Sequence, residues 1–311
     1  MIDVVVPYVN PNDPKWIELH NKFANCKGDN SKQRTRDLDI FRYFFRGLSE
    51  NCSSFVRKVH LIVQSKSQIP SWLNTNNEKL HIVYHSDYIP EEFLPTFNTF
   101  VIEGMLHRIE ELSENFIYCN DDFFFANPCY EDDFFRNDLP VDNDKLTRFL
   151  TANPIHDRLY YGGPFVFFQH ILESNHKIEK IITGKCPIYY NFHVALPFKK
   201  SLIKSVWDMH NELLSNSLRD SKFRREQNFN AWLFRYIQLD NGMFVKSDSI
   251  ESDFSYRELG VSNMNDVMND LLTKKMVCLN DMISDHNEDI IRTMINKILL
   301  AKFPDKCEFE I

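Results

Sequence analysis

The chain opens on a nearly unbroken apolar run, MIDVVVPYV, whose β-branched residues predict a central strand that the turn-forming NPNDP brings to an end. A polar loop is expected over 25–33. Leu38, Phe41, Phe44, Phe45 and Leu48 then recur at helical spacing and predict a helix over 34–48. Short apolar runs at 59–63 and 80–84 predict two more strands, with a turn at 69–73 that sets the indole of Trp72 against the core. Ile102, Met105, Leu106, Ile109 and Leu112 mark the buried face of a helix over 101–114. Glu103, His107 and Glu110 share a neighbouring face of it, at offsets of four and seven. Phe116, Ile117 and Tyr118 read as a short central strand, and Phe123 to Phe125 return the chain to the core. Strand, helix, strand, strand, helix, strand is the order of an α/β nucleotide-binding half.

The second half is less regular. Residues 146–150 and 165–168 read as strands flanking a turn at 160–164, and His193 falls in the extended stretch NFHVALPFKK. Helices are expected over 201–215, around Phe229, Trp232, Leu233 and Tyr236, and over 288–301. The run 276–279 reads as a strand ending in Asn280-Asp281. The expected fold is α/β, a Rossmann-like mixed sheet flanked by helices with a helical C-terminal part. Residues 1–130 would be the nucleotide-binding half, and 131–311 would complete the same site within a single catalytic domain.

Composition narrows these expectations. A chain of 311 residues suits one large domain or two small ones, and its 27 phenylalanines point to an aromatic-rich core. The net charge of −8 argues against a nucleic-acid partner held through phosphate contacts. The seven cysteines are scattered with no CxxC pair, which suits free thiols in a reducing compartment better than disulfides or a zinc site. Neither GxGxxG nor GxxxxGK[ST] occurs among the eight glycines, so a dinucleotide fingerprint or P-loop is not expected. A first strand beginning at Ile2 leaves no room for a signal peptide, and no apolar run is long enough to span a bilayer. The expected location is cytoplasmic, with peripheral membrane contact left open.

The chemistry concentrates where the strand 116–118 ends. Asn120, Asp121 and Asp122 follow it at once, and open α/β sheets bind ligands beyond the carboxyl ends of their strands. Two acids held there by apolar runs on both sides repel each other unless a proton or cation lies between them. A solvated Asn-Asp-Asp turn is the simpler alternative. The same ending recurs at Asn280-Asp281, by chance or because two strand ends converge on one cation. Arg42 and Arg46 lie four apart. They are solvated or paired with Asp39, or one of them reaches a phosphate, which a guanidinium fork matches.

Several blocks in order carry a family resemblance: IDVVVPYVN, RxxDxxxxRYxxR (34–46), QIPSWLN (68–74), LPTFNT, IExxLHRIxxLSxxFIYxNDD (102–122), CLND and FPxKCEFE. Together they resemble the four conserved regions of the Stealth family of sugar-1-phosphate transferases. That family includes bacterial capsular and exopolysaccharide phosphotransferases, and the catalytic subunit of the enzyme that adds N-acetylglucosamine-1-phosphate to lysosomal-enzyme glycans. The resemblance implies a nucleotide-diphospho-sugar transferase-like fold. It places the family's catalytic glutamate on Glu103, the second aspartate of its NDD on Asp122, its histidine on His193 and its arginine on Arg224, with Arg225 as the fallback. It makes Asp121, Asp122 and Asp281 the candidate ligands of Mg²⁺ or Mn²⁺, and Asn10, Arg42, Asn98, His107 and Asn120 candidate substrate-binding residues. The first block departs from the family pattern, with Asn10-Pro11 where a glycine usually follows the Asp or Asn, and FNT replaces FNS.

Further implications are a UDP-sugar donor and a glycan acceptor, lipid-linked at the cytoplasmic membrane face, with UMP released and a phosphodiester formed. His193 is then the leading candidate for the hydroxyl proton, with Glu103 as the alternative base or a ligand of the donor sugar. A metal-dependent glycosyltransferase releasing UDP, and a non-catalytic nucleotide-sugar-binding protein, are the competing readings.

Overall fold

The computed structural model describes residues 1–29, 31, 35–147, 163–281 and 283–311. The strands are β1 (Ile2–Pro7), β2 (Val56–Val63), β3 (Leu80–Tyr84), β4 (Asn115–Tyr118), β5 (Phe123–Phe125), β6 (Phe135–Arg136), β7 (Leu139–Asp142), β8 (Leu196–Lys199), β9 (Val245–Lys246), β10 (Phe254–Glu258) and β11 (Met276–Asn280). The longer helices are α1 (Pro14–Lys22), α2 (Phe41–Cys52), α3 (Thr99–Gly104), α4 (Gly163–Thr183), α5 (Lys200–Leu218), α6 (Trp232–Asp240), α7 (Met264–Thr273) and α8 (Glu288–Lys302). None of the described helices is long and apolar enough to cross a membrane.

The main sheet has the order β3-β2-β1-β4-β8, with β1 to β4 parallel and β8 antiparallel at the edge. Its β-branched strands are apolar on both faces because both faces are covered. Val5, Phe116 and Tyr118 pack into one core with residues of α3, α5 and α6. Val4, Val6 and Ile117 pack into another with Phe44, Phe45 and Leu48 of α2. The chain runs from β1 to β2 and β3 on one side, then returns to β4 on the other. The β1/β4 boundary is therefore a switch point with both carboxyl ends on one edge.

A second sheet, β10-β11-β5, sets the start of β5 beside the end of β11, and β6-β7-β9 form a third. Strand β8 from the second half completes the sheet of the first half, and β5 pairs with β11. The expected mixed α/β architecture, sheets flanked by helices, is the one observed.

Several element expectations need correction. The helix predicted over 34–48 begins at Phe41 and runs to Cys52, because Asp39 takes a left-handed backbone (φ 57°) that no α-helix accommodates; Arg34 lies outside the described residues. The helix predicted over 101–114 stops at Gly104. Tyr88 Oη donates to the Ile102 carbonyl (3.1 Å) and Trp207 Nε1 to the Gly104 carbonyl (2.6 Å), so side chains satisfy the groups a longer helix would use. Glu103 and His107 consequently do not share a face. Phe165 to Phe168 belong to α4 rather than a strand. Ile171, Asn175 and Ile178, buried at steps of four and three, continue a helical spacing past the short aromatic run. Of the strand expected over 146–150, Leu146 makes only a single bridge to Tyr189, and 148–150 lie outside the described residues, as do 160–162 of the expected turn. Phe229 precedes α6, which starts at Trp232. Helix α1 was not expected; the turn residues Asp13 and Pro14 serve as its cap and first position.

Candidate active site

The acidic corner is built by two strand ends. β4 stops at Tyr118, and Asn120, Asp121 and Asp122 make the turn into β5. Phe123 of β5 sits opposite Cys278 of β11, so Asn280 and Asp281 emerge beside that turn. Asp121, Asp122 and Asp281 line a cavity of about 240 Å³ that reaches Pro7, Tyr8 and Val9 at the end of β1, beside the switch point.

Like charges are buried together here. Burial pushes Asp121 up to about 7, helped by Asp122 and Asp37 and opposed by Arg224. Burial likewise raises Asp122 to about 6, opposed by Cys278 and Arg224. Asp281 is raised by burial although Arg36 pairs with it at 2.8 Å. Asp122 Oδ1 and Asp281 Oδ2 are buried with no hydrogen-bond partner among the described residues. Unpartnered carboxylate oxygens in a region of like charge fit a divalent cation that prefers oxygen ligands. The ligating atoms of Asp122, His193 and Cys278 lie within 4.8 Å of one another, a candidate metal cluster in the same corner.

Glu103 reaches the cleft from α3. Asn98 caps this short helix by accepting from the Phe100 N–H (3.0 Å). Glu103 Oε2 accepts from Tyr118 Oη (2.8 Å) and Oε1 from the Ala231 N–H (2.9 Å). Burial nevertheless pushes its pKa up to about 7, against these donors and the charge of Arg224.

Arg224 places its guanidinium over the Phe100 ring, 5.0 Å from the centroid. Asn98 also holds that segment, its amide donating to the carbonyls of Ser221 and Phe223 (both 3.2 Å) and to Asn228 Oδ1 (3.0 Å). His193 meets Phe123 and Tyr256 edge to face, each at 5.4 Å. Burial, then Arg224, pulls its pKa down to about 4, leaving a neutral imidazole at neutral pH.

A larger lobe of about 920 Å³ adjoins the acidic one. Glu103 lines it, with Phe167, Phe168, Tyr190, Trp232 and Tyr256. Thr99, Asn120, His193, Arg224 and Asn280 line both lobes, so one cleft brings together Glu103, Asn120, Asp121, Asp122, His193, Arg224 and Asp281.

Four of the expected residues do not line it. The Asn10 backbone N–H bonds Gln68 Oε1 at 2.7 Å. Arg42 pairs with Asp39 at 3.3 Å and lies over Trp72. Its neighbour Arg46 is bound bidentately by Glu310. His107 stacks on Trp207, 5.8 Å between centroids. Asn98 stands behind the cleft as a support for α3 and Arg224.

Residues not anticipated also face the acidic lobe. They include Arg36, the partner of Asp281, and three groups with buried atoms that have no hydrogen-bond partner among the described residues: Thr99 Oγ1, His85 Nδ1 and Gln64 Nε2. Thr99 and Arg36 sit inside blocks already singled out. His85 and Gln64 have no local pattern that marks them.

Residues 34–142 match conserved region 2 of the Stealth proteins. A capsular polysaccharide phosphotransferase, WcwK of Streptococcus pneumoniae, is 32% identical over 332 residues, covering 99% of this chain and 98% of that protein. The chain belongs to the Stealth family. A second relative, the exopolysaccharide phosphotransferase cps2G of Lactiplantibacillus plantarum, is 30% identical over 99% of this chain and 96% of its own length. The protein is accordingly an enzyme, a phosphotransferase. The matched Stealth region carries Glu103, Asn120, Asp121 and Asp122, while His193, Arg224 and Asp281 reach the cleft from outside it. A crystal structure of the galactosyltransferase LgtC with donor and acceptor sugar analogs aligns at TM-score 0.43 and 9% identity over 99% of this chain and 98% of that one, a likeness too slight to bear on function.

Proposed function

We propose that this Stealth enzyme transfers a sugar-1-phosphate from a UDP-sugar to a hydroxyl of an acceptor glycan during synthesis of a capsular or other cell-surface polysaccharide, releasing UMP. The observation that carries the reading is the convergence of two acidic strand ends with Glu103, His193 and Arg224 in one cleft at the switch point of a parallel sheet. In the balanced reaction, the acceptor oxygen attacks the phosphorus nearest the donor sugar. The bond from that phosphorus to the bridging oxygen breaks, UMP leaves with the electron pair, and the hydroxyl proton passes to a base. Such a displacement depends on in-line placement and on stabilising charge at the phosphoryl oxygens.

The two lobes divide the work. Asp121, Asp122 and Asp281 would hold Mg²⁺ or Mn²⁺ in the smaller lobe, where the ion neutralises diphosphate charge. Arg224, on the border of both lobes, offers its fork to the phosphoryl group in transfer. The larger lobe, walled by Trp232, Tyr190, Tyr256 and Phe168, suits the apolar faces of an acceptor glycan. Glu103 opens onto that lobe and titrates near neutrality, which favours it over His193 as the base. His193, neutral and within reach of Asp122, instead steadies the acidic corner. The acceptor is a lipid-linked oligosaccharide at the cytoplasmic face of the membrane, reached by peripheral contact.

Incubation with a panel of UDP-sugars, Mg²⁺ and acceptor glycans, followed by identification of the nucleotide released, tests the proposal. UMP is expected. Release of UDP would make the protein a glycosyltransferase, and binding without turnover would reduce it to a nucleotide-sugar-binding protein.

A further inference from the structure

A second cluster of metal-ligating groups lies away from the cleft, where α4 ends. His176 and Glu179 stand one turn apart on α4, and both are buried. The helix stops at Thr183, Gly184 takes a positive φ of 73°, and the chain doubles back so that Cys186 returns to the helix. His176 Nδ1 lies 2.7 Å from Glu179 Oε2. One ligating atom from each of His176, Glu179 and Cys186 falls within 4.8 Å of the other two.

The second observation concerns charge. Glu179 is fully buried, its Oε1 has no donor among the described residues, and the Asp240 carboxyl lies in hydrogen-bond contact with it. Asp240, also buried, has a charge that acts on both Glu179 and Cys186. Asp240 is itself held in place, accepting from Thr183 Oγ1 (2.6 Å) and Tyr189 Oη (2.9 Å), while Lys185 Nζ bonds its backbone carbonyl. A buried carboxylate oxygen without a donor, against a second carboxylate, calls for a proton or a cation between them.

We propose that His176, Glu179 and Cys186 bind a Zn²⁺-class ion that pins the turn after α4, with Asp240 as the neighbouring charge. Imidazole, thiolate and carboxylate together form a donor set for a borderline-soft divalent ion rather than for the hard cation of the cleft. Bonds of about 2.0 to 2.3 Å to a tetrahedral ion separate its ligand atoms by roughly 3.3 to 3.8 Å. The three ligand atoms, within 4.8 Å of one another, reach that spacing by shifts of about 1 Å, the His176–Glu179 pair opening from 2.7 Å when the imidazole proton gives way to the metal. No CxxC pair announces such a site, because its ligands come from one helix turn and one loop. The site has a structural consequence. The chain from Cys186 leads directly to Tyr190 and His193, which line the cleft.

Cobalt reconstitution of the whole reduced protein tests this apart from catalysis. After removal of metals, Co²⁺ should give a thiolate-to-metal charge-transfer band at about one equivalent. The band should disappear in Cys186→Ser, fall in Glu179→Gln, and persist in Cys278→Ser, whose thiol belongs to the cleft cluster. Bound Zn²⁺ should also slow alkylation of Cys186. No band, or unchanged alkylation with Zn²⁺ present, overturns the proposal and leaves Glu179 and Asp240 sharing a proton. A band lost in Cys278→Ser but kept in Cys186→Ser overturns it too, placing the ion in the cleft.

Discussion

The backbone N–H of Leu279 donates to the carbonyl of Asp122 at 3.0 Å. This one bond joins strand ends about 160 residues apart in the chain and sets Asp281 beside the Asn120–Asp122 turn. A cluster of acids that no local pattern assembles is held there by sheet pairing. The expected behaviour of the site follows from how costly that cluster is to bury.

Asp122→Asn should abolish transfer, with a loss of about 10³-fold or more, while leaving the fold intact. Removing one of several buried like charges relieves repulsion, so the melting temperature of the metal-free variant should hold or rise. Nucleotide release and a thermal melt on the same preparation check both halves. Full activity in this variant would remove Asp122 from the metal site.

The rate should depend on Glu103 ionising. With a pKa near 7, kcat/KM should climb as pH rises through about 7, and Glu103→Gln should lose that limb along with roughly 10²- to 10⁴-fold in rate. Stability moves the opposite way. The folded protein holds the Glu103 proton above the ordinary value of 4.5, so the unfolded chain ionises first and stability falls as pH rises from about 4.5 to about 7. Denaturant titrations of metal-free protein across that window should show a shallower slope in Glu103→Gln.

Arg224→Lys should not restore what Arg224→Ala loses, because a point charge lacks the fork that meets two phosphoryl oxygens. The charge of Arg224 also draws Glu103 downward, so the rising limb of the pH profile should move to higher pH in Arg224→Ala. A variant with lowered rate and an unmoved limb would mean that the two groups do not communicate.

Arg46 is expected to matter for stability and not for chemistry. Glu310 grips it bidentately at 2.6 and 2.8 Å, and the Phe303 carbonyl accepts from it at 2.8 Å. Both side chains are nearly buried. Glu310→Gln leaves the guanidinium without its counter-charge and should cost about 3 kcal/mol in urea unfolding. KM for the donor should not change at temperatures where the variant is folded.

Trp232→Ala should raise KM for the acceptor glycan several-fold and leave KM for the UDP-sugar unchanged, since Trp232 lines the larger lobe only. Equal effects on both substrates would sink the division of the cleft between them.

Much of the site was legible as residue types at strand ends. An apolar run followed by Asn-Asp marks a carboxyl edge whatever the rest of the fold, and both such runs reach the cleft. Glu103 could be singled out through its block, although the helix drawn around it was too long. The spacing that suggested a continuous helix is also satisfied by a helix, a tight turn and a loop packed on the same core. Arg42 and His107 show the limit of reading by type. A guanidinium or imidazole in a matched block looks the same whether it faces a ligand or, as here, Trp72 and Trp207.

The order of amino acids by itself determined the parallel-strand core, the Stealth membership and the acids that end two strands. These depend on side-chain type and short-range period, which survive without coordinates. Only the tertiary structure decided that those strand ends meet, that Arg36 answers Asp281, and that His193 and Arg224 stand where the lobes join. It also decided that His176, Glu179 and Cys186 close on one point. Each of these is a contact between distant segments, set by sheet pairing and core packing, and burial then tunes the charge of every group it encloses.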